Sequence, residues 1–534
     1  VTTEAAAVKI IDEVADLAEK NTWNISSNTL TGTGKAAQVA GNSYGLYLAG
    51  NQLSVFTVSG NLIYGCGEGI EGGTKTRAAE AYGLYYFHST AGAAVINIID
   101  NNITGLNRRA KDTGVDESAG LYCTSLRGDS INTISGNTIC GQLTDSEASK
   151  DVEACYLGFG ENTTCTMSGN TLKGQEGISV DSSGDVVGLF LYASGSNIYK
   201  LTVNNNKISG GYKGLTIQGL YAQWNNWNPA NIFSITDNEI AGGLSGAEYT
   251  ESCGLTLSGI QKFTISGNTI TGTETNRANT KIFGVYCSSC GTNSTFPYSS
   301  FERNTVFASR DNTVVSSVDC VFGIYTTSTS PQYFSFFNNV ISPGDAYFTT
   351  GAFNSGTPAG VAGVVVNDTG AGNVYLCNDT VSSGNSSSAG MCFFSSAAIE
   401  EVHNNIFIMR GASYGIWSAF DSTQNYKNNC FYKSGTGAYV NVQATEYTVI
   451  ESGILKVSAG GAALANSSGN IAENPLFTSE SGRDYSLTSS TPASVRSGGT
   501  NGIGDTHDWF SYNDDITGTL RPSSGGWSMG AYQY

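Results

Sequence analysis

One short phrase returns along the whole chain and limits what the chain can become. It reads Phe56-Thr-Val-Ser-Gly-Asn61-Leu-Ile, Ile134-Ser-Gly-Asn137-Thr-Ile, Phe233-Ser-Ile-Thr-Asp-Asn238-Glu-Ile and Phe263-Thr-Ile-Ser-Gly-Asn268-Thr-Ile. Its fixed point is an asparagine, found at Asn28, Asn61, Asn101, Asn137, Asn170, Asn206, Asn238, Asn268, Asn304, Asn338, Asn404 and Asn428, with Asp379 standing in once. The early steps are 33, 40 and 36 residues and the last is 24. Periods of roughly 20 to 50 residues signal a solenoid, a propeller or an array.

A second phrase lies between successive asparagines: Tyr44-Gly-Leu-Tyr-Leu, Tyr82-Gly-Leu-Tyr-Tyr, Val187-Gly-Leu-Phe-Leu, Phe283-Gly-Val-Tyr-Cys and Tyr414-Gly-Ile-Trp-Ser. Each repeat therefore carries at least two strands. Alternation at period two puts Leu46, Leu84, Leu121, Leu189, Val285, Ile324 and Ile416 on one face, with Phe56, Val58 and Ile63 sharing it. So short a strand buries too little alone, and each coil relies on neighbours about 4.8 Å away. The expectation is an all-β, single-stranded right-handed parallel β-helix of about 13 or more coils. With 67 glycines and 8 prolines in 534 residues, the composition suits many strands joined by tight turns.

The recurring asparagine has a physical task in this reading. Asparagine tolerates a left-handed backbone at a sharp turn, and its amide can bond the amide one coil away, giving a stacked ladder. The chain divides into a cap at 1–21, coils at 22–433, and last coils with a closing segment at 434–534. In the cap, Val8, Ile11, Val14, Ala15 and Ala18 fall at helical spacing, so the expectation is an amphipathic α-helix that closes the first coil.

These phrases resemble those of right-handed parallel β-helix repeat proteins, the superfamily that holds pectate lyases, polygalacturonases, phage tailspikes and many bacterial surface proteins. The resemblance covers residues 22–534. The end is similar to the closing segment of secreted bacterial members: Glu473-Asn-Pro-Leu-Phe477, Asp484-Tyr-Ser-Leu487, Ile516-Thr-Gly-Thr-Leu-Arg-Pro522 and Met529-Gly-Ala-Tyr-Gln-Tyr534. It implies an extracellular or cell-surface address, and it names no reaction.

Charge narrows the partners. The formal net charge of −18, with no run of Lys or Arg, repels nucleic acid and anionic lipid. No stretch approaches the roughly 18 to 20 apolar residues of a membrane span. Twelve cysteines are scattered from Cys66 to Cys430. Cys123, Cys155, Cys165, Cys287 and Cys430 take inward places, where cysteine is a small apolar filler, and Cys287-Ser-Ser-Cys290 is a single CxxC without a second pair.

Catalytic residues do not assemble. A hydrolase of this fold needs carboxylates about 5 to 9 Å apart, whereas Asp100 and Asp237 lie four coils from each other. Lys207 and Glu239 pair across the surface, which is worth little. Acids gather between the Asn turn and the next strand: Glu68, Glu71, Glu80, Asp112, Asp116, Glu117, Asp145, Glu147, Asp151, Glu153, Glu176, Asp181 and Asp185, among Arg108, Arg109 and Lys111. They read as a solvated loop face. No cofactor or metal site is assigned, and calcium is the ion such loops suit best. His88, His403 and His507 are too separated for a zinc motif, and Asp505, Asp508, Asp514 and Asp515 read as turn formers.

The aromatic pattern is the most suggestive. Two residues past each strand glycine, on the outward side, stand Tyr47, Tyr85, Tyr122, Phe190, Tyr286, Tyr325 and Trp417, joined by Tyr156 and Tyr221. Trp224 and Trp227 follow in what reads as a loop. Such a stripe stacks on sugar rings or anchors a protein surface, unless the inserted loops fold over it. The expected function is structural or adhesive, binding surface glycans or further copies of the protein as an oligomer or filament, without catalysis. The alternatives are a polysaccharide lyase or glycoside hydrolase, or a glycan-binding module that lacks catalysis.

Overall fold

The computed structural model of the protein describes the chain apart from residues 1–3, 13–20, 34–41, 51–53, 68–79, 89–94, 108–116, 127–130, 144–150, 161, 176–183, 194–197, 226–227, 229, 275–280, 295–297, 310–319, 345–359, 369–371, 385–387, 395–397, 412, 420–424, 501–513 and 523–525. It divides into two compact units: residues 1–259 with 272–275, and residues 260–271 with 276–534. Both are parallel β-helix, with three strands per coil where the sequence showed at least two.

In unit 1 the first sheet runs from Glu4–Ile11 through Asn42–Gly50, Glu80–His88, Glu117–Leu126, Val152–Phe159, Val186–Ala193 and Thr216–Trp224 to Glu251–Ser258. Its inward line, Leu46, Leu84, Leu121, Cys155, Leu189, Leu220 and Leu255, is in unbroken register and wholly buried. Each such leucine contributes about 1.5–3 kcal/mol on burial. The second sheet, Thr22–Ser26 to Ile232–Thr236, adds Phe56, Ile96, Ile134 and Val203 to the same core. The third, Thr29–Thr33 to Glu239–Glu248, adds Ile63, Ile103, Ile139 and Ile208. The glycine of the Gly-Leu-Tyr phrase marks a close approach: a Cβ on Gly83 would lie 2.6 Å from both the Gly120 carbonyl oxygen and Ile103 Cγ2.

The N-terminal helix is corrected. Glu4–Ile11 is the outermost strand of the first sheet, parallel to Asn42–Gly50, with Val8 opposite Leu46 and Ile10 opposite Leu48. The alanine-rich run favours helix locally, but the free edge of Asn42–Gly50 offers backbone partners and an inward line for Val8 and Ile10. Val14, Ala15 and Ala18 lie outside the described residues. Among the described residues α-helix is confined to one turn, Ala493–Arg496.

The amide ladder is present, with a change of register. In unit 1, Asn28, Asn61, Asn101, Asn137, Asn170 and Asn206 each pass Nδ2 to the Oδ1 of the next rung at 2.9–3.2 Å, the last of these acceptors being Asn238, and that oxygen also accepts the preceding rung's backbone N–H. A second proton of Nδ2 reaches a carbonyl one coil back, as from Asn101 to Val58 at 2.8 Å. The buried amide is thus fully used, which no hydrophobic residue could match.

In unit 2 the rungs are Asn268, Asn304, Asn339, Asp379, Asn405, Asn429 and Asn470. Asn338, Asn404 and Asn428 are therefore not rungs; each precedes one. They hold the left-handed turn, with φ of 53° to 57°, as do Gly60, Asp100, Gly136 and Asp237 in unit 1. Ladder and turn are two adjacent residues, where the sequence reading had assigned both to one asparagine.

In unit 2 the displaced asparagines hold the closing segment. The Asn338 side chain donates to the Asp514 carbonyl and accepts from Arg521 Nη2, both at 2.9 Å. Asn404 Nδ2 donates to the Thr500 carbonyl at 2.9 Å, and its Oδ1 accepts from Thr500 N–H at 3.1 Å. Tyr485, Val495, Met529 and Ala531 pack on Phe307, Val340, Ile406 and Ile408, the outward residues of the third sheet. At the same outward places unit 1 has Thr104, Thr138, Lys207 and Glu239. Cys430 sits under this segment, a correction to its inward assignment.

Candidate binding face

The residues around the strand glycines build a column on the outward side of the first sheet in unit 1. Tyr47, Tyr85, Tyr122, Tyr156, Phe190 and Tyr221 occupy one register line and are half-buried. Parallel pairing fixes their spacing, so each ring packs on the next. Tyr47–Tyr85, Tyr85–Tyr122, Tyr122–Tyr156 and Phe190–Tyr221 are stacked at 5.3, 5.5, 4.5 and 4.8 Å, whereas Tyr156 meets Phe190 edge-on at 5.2 Å. Tyr44 and Tyr82 pack beneath the first rings and are buried. The Lys9 ammonium lies 4.6 Å from the Tyr47 ring centroid, a cation–π contact at one end of the column.

At the other end the rings gain a polar border. The Tyr221 hydroxyl donates to Gln223 Oε1 at 3.0 Å, Gln223 Nε2 donates to Asn225 Oδ1 at 3.4 Å, and Asn225 Nδ2 donates to the Tyr192 hydroxyl at 3.0 Å. Tyr192, Gln223 and Asn225 were missed by sequence reasoning. The signal was available: Tyr192 and Gln223 are each two residues past a column residue and so share its face.

Acidic residues stand at the start of the same strands. Register puts Glu80 opposite Glu117, and Asp151 and Asp185 immediately before the paired residues Val152 and Val186. Asp151 Oδ1 accepts the Asp185 N–H at 2.9 Å. Burial holds the Asp185 carboxyl above the usual carboxylate range; a hydrogen bond from Thr216 opposes this and the Asp151 charge adds to it. Burial, then the Asp185 charge, pushes the Tyr221 phenol up. Glu68, Glu71, Asp112, Asp116, Asp145, Glu147, Glu176 and Asp181 lie outside the described residues, as do Arg108, Arg109 and Lys111.

The remaining sequence candidates fall elsewhere. Trp224 is a correction: it ends the strand Thr216–Trp224 pointing inward, 3 % exposed, against Phe159, Tyr199 and Phe233. Three residues past Tyr221, it has the opposite parity. Trp227 lies outside the described residues. In unit 2, Tyr286 stacks on Tyr325 at 5.5 Å, and the line continues as buried Val365 and Cys392 before half-buried Trp417. The unit 2 aromatics therefore form a pair and a separate tryptophan, with Trp417 against Phe394 at 5.1 Å.

Eleven described cysteines are buried, Cys287 and Cys290 among them. Burial pushes Cys165 up to about 12 and holds Cys123 and Cys155 well above the usual thiol range, so they are protonated packing groups. His403 accepts or shares a hydrogen bond with Thr500 Oγ1 at 3.0 Å, and burial brings its pKa down to about 4. It anchors the closing segment, a role the sequence did not reveal. Asp515 Oδ1 accepts from Thr517 N–H and Thr519 N–H, both at 2.9 Å, which is turn chemistry. Lys207 and Glu239 form an exposed pair at 3.1 Å. Among the described residues no group of three or more His, Cys, Asp or Glu is arranged to hold a metal ion, and no helix is long and apolar enough to cross a membrane. Comparison with known proteins finds no family model, no curated protein and no solved structure that matches the chain.

Proposed function

We propose that the protein is a structural or adhesive β-helix of the cell surface or extracellular space, which holds partners along the outward side of the first sheet in unit 1. The observation that carries this reading is the column of six half-buried rings from Tyr47 to Tyr221. A rigid parallel sheet presents these rings in order, so little conformational entropy is lost on binding. Their edges and hydroxyls combine apolar area with polar contacts, the mixture that recurs in binding faces.

The test compares the protein with a Tyr85→Ser/Tyr122→Ser/Tyr156→Ser variant for retention on insoluble polysaccharides and on cells. The reading expects retention to fall about tenfold or more in the variant, with circular dichroism unchanged. Equal retention of both proteins, or release of reducing or unsaturated sugar ends during incubation, would contradict it.

A further inference from the structure

We infer that the Tyr221 end of the column is a ledge that takes one pyranose ring of a neutral glycan. This rests on the side-face reading above and gives it a ligand class. In the column the rings stack face to face except where Tyr156 meets Phe190 edge-on. At the near end Lys9 covers Tyr47. At the far end Phe190 covers one face of Tyr221, at 4.8 Å and 2°. The residue in register on the other side is Thr256, so the stack steps down there from a ring to a short hydroxyl side chain.

The ledge carries hydrogen-bonding groups that the fold leaves unused. The Thr256 hydroxyl and Gln218 Oε1 are in residues 6 % and 8 % exposed, and neither atom has a hydrogen-bond partner among the described residues. Gln218 precedes Tyr221 by three residues and lies on the register line of Tyr82, which packs at 5.2 Å against Tyr85, three residues on from it. An unpaired buried polar atom costs about 1–3 kcal/mol, which a hydroxylated ligand relieves. Beside the ring, Gln223 and Asn225 hold the Tyr221 and Tyr192 hydroxyls and keep further amide protons and lone pairs for a ligand.

A flat apolar face bordered by hydroxyl and amide groups matches a pyranose, whose axial C–H face packs on an aromatic ring while its hydroxyls bond sideways. Charge selects among sugars. Asp185 acts electrostatically on Tyr221 and the chain carries −18 overall, so uronates and sulfated sugars are repelled.

Calorimetric titration of the whole protein tests the ledge, with cellohexaose, xylohexaose and mannohexaose as neutral probes and hexagalacturonate and hexalysine as charged ones. At least one neutral hexasaccharide is expected to bind. Tyr221→Ala should weaken it about tenfold or more, and so should Thr256→Tyr, which puts a further ring in register with Tyr221; circular dichroism checks that each variant keeps its strand content. Lys207→Ala, on the third sheet, should leave affinity within about twofold. Binding of hexalysine or hexagalacturonate alone, or neutral binding untouched by Thr256→Tyr, overturns the proposal. If the ledge variants bind as the parent does while the triple-serine variant is still lost from surfaces, the ledge alone fails; if the parent is retained by no surface, the side-face reading fails with it.

Discussion

Replacing Asp379 by asparagine is expected to make the protein more stable, and increasingly so as the pH rises. Asp379 is the one acid among the rungs named above and is fully buried. Its Oδ1 accepts from the Asn339 backbone N–H at 2.7 Å and from Asn339 Nδ2 at 2.8 Å, as a rung oxygen should. Its Oδ2 stands where the other rungs have Nδ2. There Asn339 donates to the Phe301 carbonyl and Asn405 to the Leu376 carbonyl. An ionised Oδ2 therefore faces acceptors, and it has no hydrogen-bond partner among the described residues. A proton on Oδ2 removes the conflict.

Burial accordingly pushes the Asp379 pKa up to about 8, against the opposing pull of the Asn339 hydrogen bonds and the Arg521 charge. The folded value lies above the unfolded one, so folding favours the protonated acid. That advantage is whole below about pH 4, fades as the pH rises, and is gone above about pH 8. Asparagine does not titrate and restores the missing donor. Asp379→Asn should exceed the parent by on the order of 5 kcal/mol at pH 9 and converge towards it near pH 4. Denaturant unfolding across that range measures the difference; parallel pH profiles for the two proteins would contradict the reading.

Arg521→Ala should have an effect of similar size and opposite sign, confined to the closing segment and its seat. Arg521 is 3 % exposed and donates to the carbonyls of Asp514, Ser528 and Gly530 and to Asn338 Oδ1, all at 2.9–3.0 Å. Its guanidinium also lies 5.5 Å from the Trp527 ring centroid. Burial brings its pKa down to about 10, with Asp515, Asp514 and Asp379 opposing. Truncation leaves several buried acceptors unpaired at a cost of about 3–5 kcal/mol. Hydrogen exchange should quicken at residues 514–522 and 526–534, while the rungs Asn61 to Asn206 keep their protection. Uniform loss of protection through both ladders would refute a local latch.

What the sequence disclosed and what it withheld have the same cause, the period-two geometry of a strand. Leu46, Leu84 and Leu121 were legible as core because every coil repeats the same inward place. The rungs were legible wherever a single asparagine stood at the turn. At Asn338-Asn339, Asn404-Asn405 and Asn428-Asn429 two candidates adjoin, and the phrase alone does not separate them. The inward residue two positions past a rung decides between them: Ile63 after Asn61 and Ile103 after Asn101 correspond to Ile341 after Asn339 and Phe407 after Asn405.

The same parity would have placed Trp224 inside. The third strand of each coil was hidden because it follows the rung without a phrase of its own. The strand Glu4–Ile11 was hidden because its alanines carry no β signal, and its partner edge exists only in the folded sheet. For the candidate face, the column was readable residue by residue, but the Thr256 step became meaningful only once stacking showed which ring faces are covered.

The most direct test of the central claim is hydroxyl-radical footprinting of the protein bound to a surface that retains it. If partners lie along the first sheet of unit 1, Tyr47, Tyr85, Tyr122, Phe190 and Tyr221 will be protected on binding while Tyr298 and Tyr333 in unit 2 stay as reactive as in the free protein. Protection confined to other faces, with the column unchanged, would contradict the account.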